Sequence, residues 1–219
     1  MFTFSRLDIQ FRAPFCMIIS GPSSSGKTTF LLRFLNEYQN LIHPEPPKSI
    51  LYCYSEYHEH IKTMQAGGIL VHQGIPNDNM LDELPKPTLL ILDDLMLNAS
   101  EEYLTSLFTK KSHHKNISVI FMTQDLFQKK CKVARNNAQY IVLMRAPNAA
   151  LQIRNLSIQL FPTEFGFFID AYRQATANKY GYLVIDLSPE SSALITQLRT
   201  NIFKEPDNEE LTIFVPRNA

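Results

Sequence analysis

The segment Gly21-Pro-Ser-Ser-Ser-Gly-Lys-Thr28 constrains this chain more than any other stretch of it. It fits the pattern G-x-x-x-x-G-K-[ST] at every fixed position. The apolar run Phe15-Cys-Met-Ile-Ile-Ser20 before it reads as a buried strand. Thr28 to Leu41 after it reads as a helix, with apolar positions at Phe30, Leu31, Phe34, Leu35, Tyr38 and Leu41. In that context two glycines let the backbone curl so that its N–H groups face phosphate oxygens, and the helix N-terminus adds the positive end of its dipole. The expected phosphate-contacting set is Gly21, Pro22, Ser23, Ser24, Ser25, Gly26, Lys27, Thr28 and Thr29. Lys27 is expected to reach the β- and γ-phosphates, and the Thr28 hydroxyl to ligate Mg²⁺. A nucleoside triphosphate, ATP with Mg²⁺, is the ligand this pattern implies.

Leu89-Leu-Ile-Leu-Asp-Asp94 is the second signal. Four apolar residues and then two acids describe a buried strand that delivers carboxylates to one end of a sheet. Asp93 is expected to hold Mg²⁺ through water, and Asp94 to polarise an attacking water. The third signal is Ile120-Phe-Met-Thr-Gln-Asp125, where a polar pair ends another buried strand and Gln124 is expected to face the γ-phosphate. At least one whole strand, Ile50 to Tyr54, lies between Lys27 and Asp93. That spacing suits the additional-strand branch of P-loop ATPases rather than nucleotide kinases.

Apolar runs alternate with helical patterns along the rest of the chain. Strands are expected at Ser49–Tyr54, Ile69–Gln73, Thr88–Asp93, Ile117–Met122, Tyr140–Met144 and Tyr182–Asp186. Helices are expected over Tyr57–Ala66, in a short piece within Pro76–Pro87, over Glu101–Lys110 behind a Ser100 cap, and over Ala149–Leu160 and Glu164–Ala177; Phe127–Asn136 reads as helix or loop. Nearly continuous apolar strands between helices predict a three-layer α/β fold with a central, mostly parallel sheet covered on both faces. The 219 residues suit one domain, with a core over about 12–203 and a tail over 204–219. Within that tail the acidic run Glu205 to Glu210 reads as loose, and Leu211 to Val215 as an edge strand.

The formal net charge is zero, which disfavours tight nucleic-acid binding by a lone monomer but leaves local patches and assembled rings open. Cys16, Cys53 and Cys131 are too widely spaced for a C-x-x-C pair and read as reduced, buried thiols. Met1 to Arg6 lacks the apolar core of a secretory signal, and no stretch approaches the ~18 apolar residues of a membrane span. A soluble, intracellular protein without membrane contact is expected. The nine arginines are scattered, unlike the clustered lid of a small-molecule kinase.

Taken together, these motifs resemble the FtsK–HerA superfamily, and within it the genome-packaging ATPases of poxvirus-like, adintovirus and Maverick/Polinton-type DNA elements. The residues that carry the likeness are 21–31, Leu89-Leu-Ile-Leu-Asp-Asp-Leu-Met96, Ile120 to Phe127, Arg135-Asn-Asn-Ala-Gln-Tyr140 with the strand to Arg145, and Tyr182 to Pro189. The resemblance implies a homo-oligomeric ring of roughly five or six subunits that hydrolyses ATP and drives double-stranded DNA into a capsid through portal or capsid proteins. It also implies an arginine supplied by a neighbouring subunit, with Arg135 first, Arg154 second and Arg145 third among the candidates. The basic clusters Lys110 to Lys115 and Lys129 to Lys132 are candidates for lining a DNA channel. Another FtsK–HerA-type translocase or helicase, not tied to a capsid, shares these motifs; the lack of an added DNA-binding or membrane domain favours the packaging reading. The host nucleus or a cytoplasmic virus assembly site is the expected location.

Overall fold

The computed structural model describes residues 9–189, 197–204 and 210–216. In chain order they form β1 (Phe11–Arg12), β2 (Cys16–Ser20), α1 (Lys27–Leu41), β3 (Ile42–His43), β4 (Ser49–Tyr54), α2 (His60–Ala66), β5 (Leu70–Gln73), α3 (Asp78–Glu83) and β6 (Thr88–Asp93). There follow α4 (Glu101–Ser106), α5 (Ser112–His114), β7 (Ile117–Thr123), α6 (Cys131–Asn137), β8 (Tyr140–Met144), α7 (Ala150–Leu160), α8 (Phe165–Ala175), β9 (Tyr182–Asp186), β10 (Leu198–Thr200) and β11 (Thr212–Phe214). Met1 to Arg6 and the acidic residues 205–209 lie outside the described residues.

Side chains on a strand alternate between faces, and here both faces are apolar. Met17, Ile19, Tyr52, Ile91, Ile120 and Val142 point to one side, where they meet Phe30, Leu31 and Phe34 of α1 and Ile61 and Met64 of α2. Cys16, Ile18, Cys53, Leu90, Phe121 and Ile141 point to the other, against helices that include α4, α6, α7 and α8. This is why β2, β7 and β8 read as continuous apolar runs: every residue in them is buried. Phe30 and Phe34 of α1, one turn apart, are nearly inaccessible, and burial of such a side chain contributes about 1.5–3 kcal/mol.

The main sheet runs β11-β10-β9-β8-β2-β7-β6-β4-β5 among the described residues. The six strands from β8 to β5 are parallel. β9 is antiparallel to β8, and β10 and β11 continue antiparallel to the edge. A single crossover helix carries a chain back to start a parallel strand. After β8 there are two packed helices, α7 and α8. The second returns the chain to the end it left, so β9 starts beside the finish of β8, with Tyr182 opposite Met144. The edge strand expected at the C-terminus is present as β11.

Local expectations shift in three places. α2 starts at His60 rather than Tyr57, because His58 is drawn toward β4. The helix expected over Glu101–Lys110 holds α-geometry only to Ser106 and continues as a π-helical turn over Leu107–Lys111. α6 begins at Cys131 and not Phe127, since Asp125 caps a turn there by accepting from the Phe127 N–H at 2.8 Å. Ser100 caps α4 as expected, accepting from the Tyr103 N–H at 3.0 Å. All three cysteines are free and buried. Among the described residues no helix is long and apolar enough to cross a membrane.

β9 and β10 are bound by a buried ion pair. Arg199 Nη1 lies 2.9 Å from Asp186 Oδ2, both side chains at most 5% exposed. Asp186→Ala would leave the guanidinium buried without its carboxylate, so urea unfolding is expected to show a loss of about 3–5 kcal/mol. A loss under about 1 kcal/mol would show that the pair contributes little.

Candidate nucleotide-binding site

Parallel strands finish at the same end of a sheet, and the register brings three finishes together. Ser20 at the end of β2 pairs with Thr123 of β7, and Asp93 at the end of β6 pairs with Met122 of β7. The loop after β2, the acids after β6 and Gln124 after β7 therefore share one edge.

The loop begins at Gly21, whose N–H donates to Thr123 O at 3.2 Å. A Cβ here would lie 2.6 Å from Met144 Cβ and 2.6 Å from Ser25 Oγ, so β8 demands glycine. Ser24 and Gly26 take positive φ, 61° and 104°, which turns the chain into α1. Gly26 caps α1 without a side-chain hydrogen bond, and the first turn contains no acid. Its N-terminus therefore presents backbone donors and a positive dipole end to an anion. Ser25 Oγ is buried there without a hydrogen-bond partner.

Lys27 Nζ donates to Gly21 O at 2.7 Å and Pro22 O at 3.0 Å. Burial pushes its pKa down, and the charges of Asp93 and Asp94 oppose that. Asp93 is shifted the other way. Burial raises its carboxyl pKa, against a Tyr52 hydrogen bond and the nearby His58 and Lys27. Lysine and aspartate each lose hydration here, and each lowers the other's cost of remaining charged.

Asp94 is exposed and takes φ 50°, an uncommon conformation for a side chain other than glycine. That turn carries it away from Asp93 and toward β7, where Gln124 Nε2 donates to Asp94 Oδ2 at 3.1 Å. Thr28 contributes a hydroxyl and Asp93 a carboxylate. These hard oxygen donors, completed by phosphate oxygens and water, fit Mg²⁺. Among the described residues no group of three or more His, Cys, Asp or Glu gathers as a metal cluster, His58 and His60 included.

Of the three candidate arginines, Arg135 is on α6, Arg145 directly follows β8 and Arg154 is on α7. Arg135 on α6 is held by its own chain: Nη1 donates to Leu126 O at 3.0 Å, and the guanidinium carbon is 5.2 Å from the Phe127 ring centroid. Arg145 and Arg154 are exposed. With Arg173 they border a cavity of about 840 Å³ between α7, α8 and the end of β8, larger than the cavity of about 160 Å³ beside Gly21, Pro22 and Gln124.

The sequence reading passed over three side chains at this edge. Tyr52 donates its O–H to Asp93 Oδ2, and His58 Nε2 lies 2.8 Å from the same hydroxyl. Tyr180 packs its ring on Gly26, 2.8 Å from where a Cβ would stand. Tyr52 hides inside an apolar run, His58 stands in a His-Glu-His triplet outside the three motifs, and Tyr180 is distant in sequence.

A glycine loop between a central strand and a helix, with two carboxylates and a glutamine at adjoining strand ends, defines a P-loop ATPase of the additional-strand kind. The chain belongs to the Poxvirus A32 protein family, which matches residues 1–201. It is similar in fold to B204, the genome-packaging NTPase of Sulfolobus turreted icosahedral virus 2, in complex with AMPPCP. The TM-score is 0.53 at 14% identity, over 92% of this chain and 97% of that one. The DNA-packaging ATPase B204 of Sulfolobus turreted icosahedral virus aligns with a TM-score of 0.51 at 13% identity, over 94% of this chain and 99% of that one. No curated protein matches the chain.

Gly26→Ala combines a positive φ with a collision against Tyr180. It is expected to destabilise the fold by about 1–2 kcal/mol and to abolish ATP binding measured by calorimetry. Binding at the parent's affinity would separate the loop from the nucleotide.

Proposed function

We propose that this chain is an ATP-hydrolysing motor that packages double-stranded DNA into a capsid. The observation that carries the reading is the meeting of the Gly21–Thr28 loop, Asp93, Asp94 and Gln124 at one sheet edge, in a member of the Poxvirus A32 protein family. B204, of like fold, is itself a DNA-packaging ATPase.

In this reading residues 21–29 cradle the phosphates of ATP, and Lys27 moves from the Gly21 and Pro22 carbonyls to the β- and γ-phosphates. Thr28 and Asp93 hold Mg²⁺, which neutralises charge on the phosphates when bound. Asp94 polarises the attacking water. Gln124, bonded to Asp94, sets that carboxylate's orientation and responds to the γ-phosphate. A neighbour's arginine completes the site in a ring of roughly five or six subunits, with Arg135 ahead of Arg154 and Arg145. For Arg135 this requires release from Leu126 O. The charge facing DNA is assigned to the exposed Lys110, Lys129 and Lys132, because Lys111 and Lys115 are already paired with Asp78 and Asp82. Phosphate contact of this kind reads no sequence, which suits a motor that must move any DNA. Portal or capsid proteins receive the ring, in the host nucleus or at a cytoplasmic virus assembly site.

ATP hydrolysis by the purified chain is expected to rise several-fold with double-stranded DNA, alongside a ring-sized species in light scattering. Lys27→Ala should abolish turnover; undiminished activity removes the reading. Arg135→Ala is expected to keep ATP affinity and to lose at least about tenfold in turnover. Mixing Arg135→Ala with Asp94→Asn subunits should restore part of it. If no mixing ratio restores activity, the arginine of the neighbour is not Arg135.

A further inference from the structure

We propose that Tyr52 and His58 are positioning residues for Asp93, a relay that fixes which carboxylate oxygen is offered to the divalent cation. The proposal rests on the reading of Asp93 as a metal-holding residue and names what holds it. Neither residue falls within the three motifs.

Tyr52 pairs with Ile91, two residues before Asp93 on the adjacent strand β6. Period-two alternation puts Ile91 and Asp93 on one face of β6, the face where Tyr52 also lies. A side chain as long as tyrosine spans the remaining distance, and its hydroxyl donates to Asp93 Oδ2. The phenol has no access to solvent. An ionised carboxylate can only accept, so the phenol is the donor in that bond. A phenylalanine would fill the same core volume equally well. The hydroxyl is therefore not explained by packing.

His58 closes the chain of bonds. It stands on the segment between β4 and α2, half-buried, with its ring edge-on to Tyr52 at 6.0 Å between centroids. Since the Tyr52 proton is committed to Asp93, the phenolic oxygen accepts from the His58 Nε2–H at 2.8 Å. That assigns the proton to Nε2. His58 Nδ1 is buried and finds no partner. The relay thus runs from His58 to Tyr52 to Asp93 Oδ2 and leaves Oδ1 as the oxygen that meets the cation or its water.

A carboxylate beside a cation must be held in one rotamer to be useful, and the partners that hold such ligands typically shift metal affinity about 10-fold or more. The test is binding of a non-hydrolysable ATP analogue, titrated with Mg²⁺ and repeated without it, on the full chain. Asp93→Asn is the reference and is expected to lose the Mg²⁺ dependence of binding. Tyr52→Phe is expected to bind the analogue like the parent without Mg²⁺, and to need about 10-fold more Mg²⁺ for the same enhancement. His58→Phe should shift the requirement in the same direction, and His58→Gln, which restores a donor near the Nε2 position, should recover it. If Asp93→Asn shifts the Mg²⁺ requirement and Tyr52→Phe does not, the relay is wrong and the metal reading stands. If Asp93→Asn itself changes nothing, the metal reading fails, and the relay with it. Loss of analogue binding by Tyr52→Phe without Mg²⁺ would mark the hydroxyl as structural and overturn the proposal.

Discussion

Parallel pairing of β2 between β7 and β8 is the constraint on which the rest of the molecule depends. A strand with a parallel neighbour on each side delivers its C-terminal loop to the same edge as both neighbours' loops. Here that edge receives Gly21 from β2, Gln124 from β7 and the closing residues of β8. The packing is so close that Gly21 has no room for a side chain beside Met144. β6 adds Asp93 and Asp94 from one strand further out. Apart from the consecutive Asp93 and Asp94, these residues come from separate stretches of sequence, and the register makes them neighbours.

Assembling the edge has an electrostatic cost that shapes its chemistry. Lys27 and Asp93 are both pushed toward their neutral forms by burial. Partners oppose that push: two carboxylates for the lysine, and Tyr52, His58 and Lys27 for the aspartate. Asp94 acts on Lys27 through its charge but is itself exposed, at a positive φ and bonded to Gln124. The two adjacent acids thereby occupy different environments, one partly buried and hydrogen-bonded by a phenol, the other solvated and beside an amide. Environments that differ in this way allow identical side chains to take different roles.

The fold was legible because its signals are local. Gly21 to Thr28 needs its own glycines, the apolar runs at β2, β6 and β7 announce strands with two buried faces, and Ser100 caps α4 within three residues. What stayed hidden depends on distance or on number. The antiparallel β9 follows from two helices in place of one after β8, and its residues read as well for a parallel strand. The relay through Tyr52 and His58 joins the end of β4 to the end of β6, and in sequence the tyrosine is one more apolar residue of Ser49-Ile-Leu-Tyr-Cys-Tyr54. Tyr180 reaches Gly26 across more than half the chain. Pattern reading finds residues that act through neighbours in sequence, and it misses those that act through neighbours in space.

Charge illustrates the same limit. A run such as Lys110-Lys-Ser-His-His-Lys115 reads as a free basic patch, yet Lys111 lies 2.5 Å from Asp78 and Lys115 lies 2.6 Å from Asp82, both acids on α3. Those pairs join α3 to the turn before β7 and withdraw two positive charges from any surface field. Exposed pairs of this kind contribute little to stability, so their main effect is on where net charge remains. Lys129 and Lys132 are exposed just past Gln124, while Lys130 between them leans on the Met96 and Ala99 carbonyls. The uncommitted lysines of that segment thus lie on the stretch of chain that leads from the residue bonded to Asp94 into α6.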